Sequence, residues 1–227
     1  GYVSDEKDGL IAGKKGYRSL VNQEKDTSKP AKYFGDDADD FNKVIHLKHN
    51  TDALEGSNLN DVFIYNGKNI DAKGGVDTLI FTENIDLSRV ADLNDKLKSF
   101  ENLQLGSKST QAVSIGLDTK SVLDIIDRQV TDGGLKSVNT VLKIKGDSND
   151  KVALEGKGTI FTQATDGEVA ALNLKHSASG DTYNQVAIDG SGHALNQVYK
   201  GIYGSGASAQ TFFIEIDKDV SVVNLVH

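Results

Sequence analysis

The chain has 227 residues, a formal charge of −8 and 37% apolar residues, and it contains no cysteine, methionine or tryptophan. The absence of cysteine excludes disulfides, thiolate metal sites and cysteine nucleophiles. Because the charge is negative and the basic residues are scattered, we expect no nucleic acid or anionic lipid as a partner. No apolar run approaches the roughly 18 residues of a membrane span, so no membrane insertion is expected.

Residues 1–50 are the least regular part of the sequence, and we interpret them as an irregular N-terminal segment with or without packing on the main domain. The run Asp36–Asp40 is either a cation site or a solvated acidic loop. His46 and His49 have the spacing of two zinc ligands on a helix, but without an identifiable third ligand they are expected to be surface residues. The opening Gly-Tyr-Val-Ser carries no leader, which suggests a chain cut from a longer polypeptide.

A strand, a turn and a second strand are predicted between residues 62 and 81. Val62–Tyr65 is rich in β-branched and aromatic residues and ends at Asn66-Gly67, a strong hairpin signal. A second apolar run follows at Thr78–Phe81. This pattern predicts a hairpin-like unit.

Two helices are predicted in the middle of the chain. Apolar residues recur at three- and four-residue steps between Leu87 and Phe100, which indicates a short amphipathic helix. A second helix is expected after Asp118, a good N-cap, with Gly133-Gly134 as its terminator.

Short strands dominate the rest of the sequence. They are predicted at 140–144, 151–154, 159–162, 169–174, 183–188, 198–203, 212–216 and 220–226, with Gly, Asn or Asp between them. In the 212–216 strand, the alternation of apolar and acidic residues predicts that Glu215 faces water, as does Asp217 just after the strand. Residues 51–227 are therefore expected to form one mostly β domain with a few short helices, arranged as a sandwich or barrel-like unit.

The turn at residues 146–150 has the composition of a calcium site. Asp147, Asn149 and Asp150 lie within one glycine-containing turn between two predicted strands. Calcium takes six to eight oxygen ligands from carboxylates, amides and backbone carbonyls, and such a turn offers all three. An ordinary Asx-type hairpin turn has the same composition and remains the alternative.

The phrases at 56–61 and 71–79 resemble the glycine-rich, aspartate-bearing repeats of the RTX family. Gly74-Gly75-Val76-Asp77-Thr78-Leu79 keeps the Gly-x-Asp-x-Leu end of that nonapeptide. Ala72 and Lys73 stand where glycines would be expected. The resemblance implies one degenerate turn with an isolated calcium site, and the missing tandem repeats argue against a long parallel β-roll. Its candidate ligands are Asn60, Asp61, Asp71 and Asp77.

A longer resemblance covers residues 56–226. The order of Gly75–Phe81, Phe100–Gly106, Leu117–Ile126 and Leu142–Leu154 is similar to the region near the C-terminus of large RTX adhesins exported by type I secretion. That resemblance implies a calcium-stabilised β domain at the bacterial cell surface. It also implies binding, rather than catalysis, toward a peptide, protein or glycan on cells or surfaces. As an isolated domain the chain is predicted to be monomeric.

Two other functions remain open from the sequence. The chain could be a structural module of the same kind of adhesin that binds only calcium, or a secreted hydrolase domain, although no Gly-x-Ser-x-Gly elbow is present. No ligand pocket is identified. Tyr183, Tyr199 and Tyr203 lie near glycine-rich loops, and the loop 201–209 is the first place to expect a ligand.

Overall fold

A computed structural model describes residues 53–126, 130–131, 134–135, 140–156 and 161–226. The predicted N-terminal segment 1–50, with its acidic run and its two histidines, lies outside the described residues. Gly133, one half of the predicted helix terminator, also lies outside them.

Within the described residues the protein is mostly β with a few short helices, as predicted. The strands are β1 (Ala53–Glu55), β2 (Val62–Ile64), β3 (Asn69–Asp71), β4 (Thr78–Phe81), β5 (Ile85–Asp86), β6 (Leu97–Lys98), β7 (Asn102–Leu105), β8 (Ser114–Leu117), β9 (Val130–Thr131), β10 (Gly134–Leu135), β11 (Leu142–Lys145), β12 (Lys151–Gly156), β13 (Phe161–Gln163), β14 (Gln197–Tyr203), β15 (Gln210–Ile216) and β16 (Ser221–Val226). The helices are α1 (Leu93–Lys96), α2 (Thr119–Ile125) and α3 (Asp166–Ala178), with 3-10 turns at Leu87–Arg89 and Gly206–Ser208.

Most of these strands belong to three parallel stacks. The first sheet is β1-β3-β6, the second contains β2-β4-β7-β11-β15 in parallel, and the third is β5-β8-β12-β16. The passes β3-β4-β5 and β6-β7-β8 visit the three sheets in turn, so the chain winds there as a three-sided parallel coil, and β11-β12 and β15-β16 extend the second and third sheets. This pairing defines the arrangement more closely than a sandwich or barrel-like description. The coil forms although tandem repeats are missing from the sequence.

The hairpin predicted between residues 62 and 81 is wrong. β2 and β4 are direct neighbours but run parallel, and the strand between them, β3, belongs to the first sheet. The Asn66-Gly67 turn has the expected left-handed glycine, with φ 85°, and the Asn66 side chain accepts a hydrogen bond from the Lys68 amide. The turn therefore carries the chain around a corner of the coil instead of reversing it.

The core is built from side chains that stack directly on one another from turn to turn. In the second sheet, one inward position is occupied in successive strands by Phe63, Leu79, Leu103, Ile144 and Ile216. Each of these side chains is at most 1% exposed. Leu54, Ile70 and Leu97 form the equivalent column in the first sheet. Burial of such columns is the main favourable contribution to folding.

The two predicted central helices have different outcomes. Asp118 caps α2 as predicted, with its side chain accepting from the Ser121 amide in a reciprocal capping box. The helix ends at Ile125, ahead of the predicted glycine terminator, and Gly134 lies in β10. The helix predicted over 87–100 is reduced to a 3-10 turn and the four-residue α1, because Asp92 and Ser99 both have positive φ values that break a helix.

An insertion between β12 and β15 corrects two further predictions. The strand predicted at 169–174 is part of α3, which starts at a capping box formed by Thr165 and Glu168. The segment 183–188 contains only one isolated bridge, between Ile188 and Ala194. The insertion adds β14 antiparallel to β15 and β13 antiparallel to β14, and it buries Val169 in a small second core.

We predict that Leu103→Ala lowers the free energy of unfolding by about 2–5 kcal/mol, because it leaves a cavity in the middle of the inner column. Chemical denaturation followed by circular dichroism measures the change. Lys145→Ala, at an exposed position of the neighbouring strand, is the control and should stay within about 0.5 kcal/mol of the wild type. Equal effects of the two substitutions would contradict the stacked core.

Candidate functional site

Three acidic residues stack where the chain enters the second sheet on consecutive turns. We call Asp61, Asp77 and Glu101 the corner column. The Asp61 amide donates to Asp77 Oδ1 at 2.8 Å, and the Asp77 amide donates to Glu101 Oε2 at 2.7 Å. The carboxyls of Asp77 and Glu101 therefore each hold the backbone of the preceding turn. Glu101 was not among the predicted site residues. Its role in holding the Asp77 amide is visible only in the structure, where it directly precedes β7.

The corner column is almost completely removed from water. Asp61 and Asp77 are 0% exposed and Glu101 is 8% exposed. The carboxylate of Asp61 accepts from the Ser57 amide at 2.5 Å and from the Ser57 hydroxyl. Asp77 Oδ2, in contrast, is buried without a hydrogen-bond partner. Such an oxygen is costly when charged, because nothing replaces its lost hydration.

Burial raises the pKa of Asp77 from its ordinary value of 3.8 to about 9, against the lowering effect of the Asp61 amide. The negative charges of Glu101, Asp61 and Asp71 raise it further. Near neutral pH the side chain therefore carries a proton. That proton belongs on Oδ2, since Oδ1 accepts the amide hydrogen bond.

The other two predicted ligands of this region lie beside the column and have structural partners. Asn60 Oδ1 accepts from the Val76 amide at 2.9 Å, which again joins consecutive turns. Asp71 forms an ion pair with Lys73, at 3.3 Å. Gly75 has φ 106°, and a Cβ there would lie 2.5 Å from the carbonyl oxygen of Leu59, so the close approach of these turns requires glycine.

The predicted calcium turn at 146–150 forms a compact turn with its side chains engaged. Asp150 is 1% exposed, with Oδ1 accepting from the Val113 amide at 2.9 Å and Oδ2 from the Asp147 amide at 2.8 Å. Asp147 Oδ1 accepts from the Asn149 amide, and Asn149 Nδ2 donates to the Ser109 carbonyl. The turn thus links two turns of the coil through hydrogen bonds of Asp150 and Asn149.

Metal binding depends on oxygens that are not already used. In the part of the chain that the structure describes, no group of three or more His, Cys, Asp or Glu side chains is arranged to hold a metal ion. The seven predicted ligands are not brought to one place, since Asp147, Asn149 and Asp150 lie at a different corner from the rest. Of these positions, the unpartnered Asp77 Oδ2 has the chemistry that calcium would use.

The insertion covers the outer face of the second sheet with a polar cluster. Glu215, predicted to face water, is 5% exposed, and its carboxylate lies 3.4 Å from Lys143 Nζ and accepts from the Ala187 amide. Tyr183 donates to Asn102 Oδ1 at 2.5 Å, and its ring lies 4.8 Å below the Lys143 ammonium. Burial raises the pKa of Tyr183. This tyrosine therefore fastens the insertion to the coil.

The loop expected to meet a ligand is partly apolar on its surface. At the end of β14, Ile202 is 45% exposed and Tyr203 is 39% exposed. Tyr199 is partly buried against the main core. The loop therefore offers Ile202 and Tyr203 to a partner.

One surface pair bears on the hydrolase alternative. His193 Nδ1 lies 2.7 Å from Asp166 Oδ2, and the two side chains are 63% and 62% exposed. Asp166 raises the pKa of His193 through this hydrogen bond and its charge. A pair this exposed is screened by water and resembles a surface ion pair more than an activated catalytic base.

Comparisons with known proteins identify no relative of this coil. No protein-family model matches the chain, and no curated protein or solved structure is significantly similar to it. Among the helices described, none has the length and apolar character needed to cross a membrane.

We predict that Asp77→Asn stabilises the protein increasingly as pH rises, in the presence of a calcium chelator. Because the folded pKa is raised, the wild type loses stability between about pH 4 and pH 9, at up to about 1.4 kcal/mol per pH unit from this group. Asparagine retains an acceptor for the Asp61 amide and cannot ionise. Denaturant melts from pH 4 to pH 9 measure the difference between variant and wild type.

Asp92→Asn is the matched control, since Asp92 is exposed and asparagine tolerates its left-handed backbone. Its difference from the wild type should be flat over the same pH range. A flat difference for Asp77→Asn as well would show that Asp77 titrates normally.

Proposed function

We propose that this chain is a non-catalytic, calcium-responsive binding module of a secreted bacterial adhesin of the RTX type, displayed at the cell surface. The observation that carries the proposal is the buried, unpartnered oxygen of Asp77 within a column of three carboxyls. Ionised and buried, this oxygen is unfavourable, and a divalent cation would stabilise it by acting as its partner.

Calcium would act through the stability of the coil. Binding requires an ionised Asp77, so the ion must displace the proton that the raised pKa retains, and its effect grows as pH approaches 9. A cation that binds only the folded chain stabilises it by mass action. Low calcium inside the cell would then leave the chain loose for type I export, and higher calcium outside would favour folding.

Attachment would use surfaces that the coil leaves uncovered. The loop 201–209 exposes Ile202 and Tyr203, and tyrosine is well suited to recognition because it offers area and a hydroxyl at low entropy cost. Exposed apolar side chains on a rigid strand end support contact with a peptide, a protein or a glycan on another cell.

A structural module of the same adhesin is the second candidate. It is favoured by the engagement of Asn60, Asp77 and Asp150 with backbone amides of neighbouring turns. Side chains used in this way fix the spacing of the coil and need no ligand. The two candidates differ in their response to calcium and in whether anything binds the outer surface.

Thermal unfolding with saturating calcium and with excess chelator tests the proposal. We expect calcium to raise the melting temperature of the wild type, by more at pH 8 than at pH 6, and to have little effect on Asp77→Asn. Asp92→Asn should respond like the wild type. Magnesium in place of calcium controls for non-specific screening by a divalent ion.

If the wild-type melts coincide at both pH values, calcium has no role and the corner column is purely architectural. If Asp77→Asn responds to calcium as strongly as the wild type, the ion binds elsewhere and the assignment to Asp77 is wrong. Hydrolysis of an ester, peptide or glycoside that is lost in His193→Ala would favour the hydrolase alternative instead.

A further inference from the structure

The outer face of the third sheet contains a shallow groove with a floor of small residues. Gly116 and Ala153 are paired across β8 and β12, and Gly116 is also paired with Asp86 of β5. A Cβ on Gly116 would lie 2.6 Å from Asp86 Oδ1. The Asp86 carboxylate therefore lies against Gly116, and a volume of about 330 Å³ that both residues and Ala153 line opens on this face.

Polar side chains line both long sides of the groove. One side has Asn84, Ser114 and Lys151, of which Asn84 accepts from the Ser114 amide and Lys151 is exposed. Glu155 lies on the opposite side, and the Asp86 carboxylate lies against Gly116 between the two sides. The groove therefore offers an ammonium and an amide on one side and hydrogen-bond acceptors on the other.

The two carboxylates are not both satisfied within the protein. Ser88 Oγ lies 2.6 Å from Asp86 Oδ1 and 2.7 Å from Glu155 Oε2. A serine hydroxyl has one proton, so only one of these oxygens can receive it. Asp86 also accepts from the Ser88 amide and pairs with Arg89. Glu155 thus has the greater capacity to accept a donor from outside.

The geometry restricts the chemistry of the ligand. The backbone groups of β8 are engaged with β5 and β12, so a peptide cannot add to this face as a strand. A suitable ligand has donors and acceptors around its edge, including a donor for the Asp86 carboxylate, and an apolar side for Ala153. A sugar ring has this form, with hydroxyls around its edge and C–H groups on its faces.

We propose that this groove, lined by Asn84, Asp86, Ser114, Gly116, Lys151, Ala153 and Glu155, binds a short stretch of a neutral carbohydrate chain. Its volume is at the small end of ligand sites, about 300–1,000 Å³, which suits one or two sugar rings. Glu155 and Asp86 accept from sugar hydroxyls, and Lys151 and Asn84 donate to them. This inference rests on the proposed function and names the ligand class of the adhesin module.

The test is a titration of the folded, ¹⁵N-labelled chain with hexasaccharides of glucose (α- and β-linked), mannose, xylose and N-acetylglucosamine. We expect at least one of them to shift the amide signals of residues 84–88, 114–116 and 151–155 at millimolar concentration or below. Failure of all five to shift these signals overturns the proposal. Shifts confined to other residues also overturn it.

Variants separate recognition from folding. Glu155→Gln removes one acceptor, and Ala153→Gln places a larger side chain on the floor of the groove. Both residues lie on the outward face of the sheet, so the melting temperature of each variant should stay close to that of the wild type. Each should weaken the binding sugar at least about tenfold, which corresponds to the loss of about 1.4 kcal/mol. Asp219→Asn, an exposed change in the turn before β16, is the control and should bind as the wild type. Unchanged affinity of both groove variants contradicts the assignment.

Calcium arms distinguish this inference from the proposed function. The titration is run with calcium and with chelator, each time on folded protein. If a sugar binds in both arms and calcium does not change the melting temperature, the groove proposal is supported and the calcium proposal is contradicted. If calcium shifts the amide signals of the groove residues and no sugar does, the groove is an ion site and the carbohydrate proposal is wrong.

Discussion

In-register parallel stacking is the constraint on which the rest of this structure depends. Each residue of one turn lies directly over its counterpart in the next, so like positions repeat along the coil. For apolar residues this is favourable throughout, as the column from Phe63 to Ile216 shows. At the corners the same rule stacks carboxyls, and it brings Asp61, Asp77 and Glu101 together.

The backbone amides of the corners offset much of that cost. A peptide N–H from one turn donates to the carboxyl of the next, at Asp77 and again at Glu101. This arrangement satisfies the amides that leave the strand ladder at a corner. It leaves Asp77 Oδ2 without a hydrogen-bond partner. Burial of the Asp77 carboxyl at this corner raises its pKa, and the neighbouring acidic residues raise it further.

Local features of the fold could be predicted from the sequence, whereas its register could not. The capping box at Asp118 and the apolar strands at Thr78–Phe81 and Phe212–Ile216 follow from neighbouring residues. The inner column, however, recurs at spacings of 16, 24, 41 and 72 residues between Phe63 and Ile216. Loops and an insertion of unequal length separate the turns, so no repeat is visible. The capping box formed by Thr165 and Glu168 is a sequence signal for the start of α3, but the apolar residues at 169–174 led to the prediction of a strand instead.

The same insertion determines which outer faces of the coil stay open to solvent. It covers the second sheet, where Asn102, Lys143 and Glu215 would otherwise face solvent and now bond to the segment around Tyr183. On the third sheet the corresponding outward positions carry Gly116 and Ala153, and the volume above them stays open. Asp77 belongs to the same turn as β5, but its buried side chain does not line the groove. A cation at the corner would therefore stabilise the groove as a whole without changing the groups that contact a ligand.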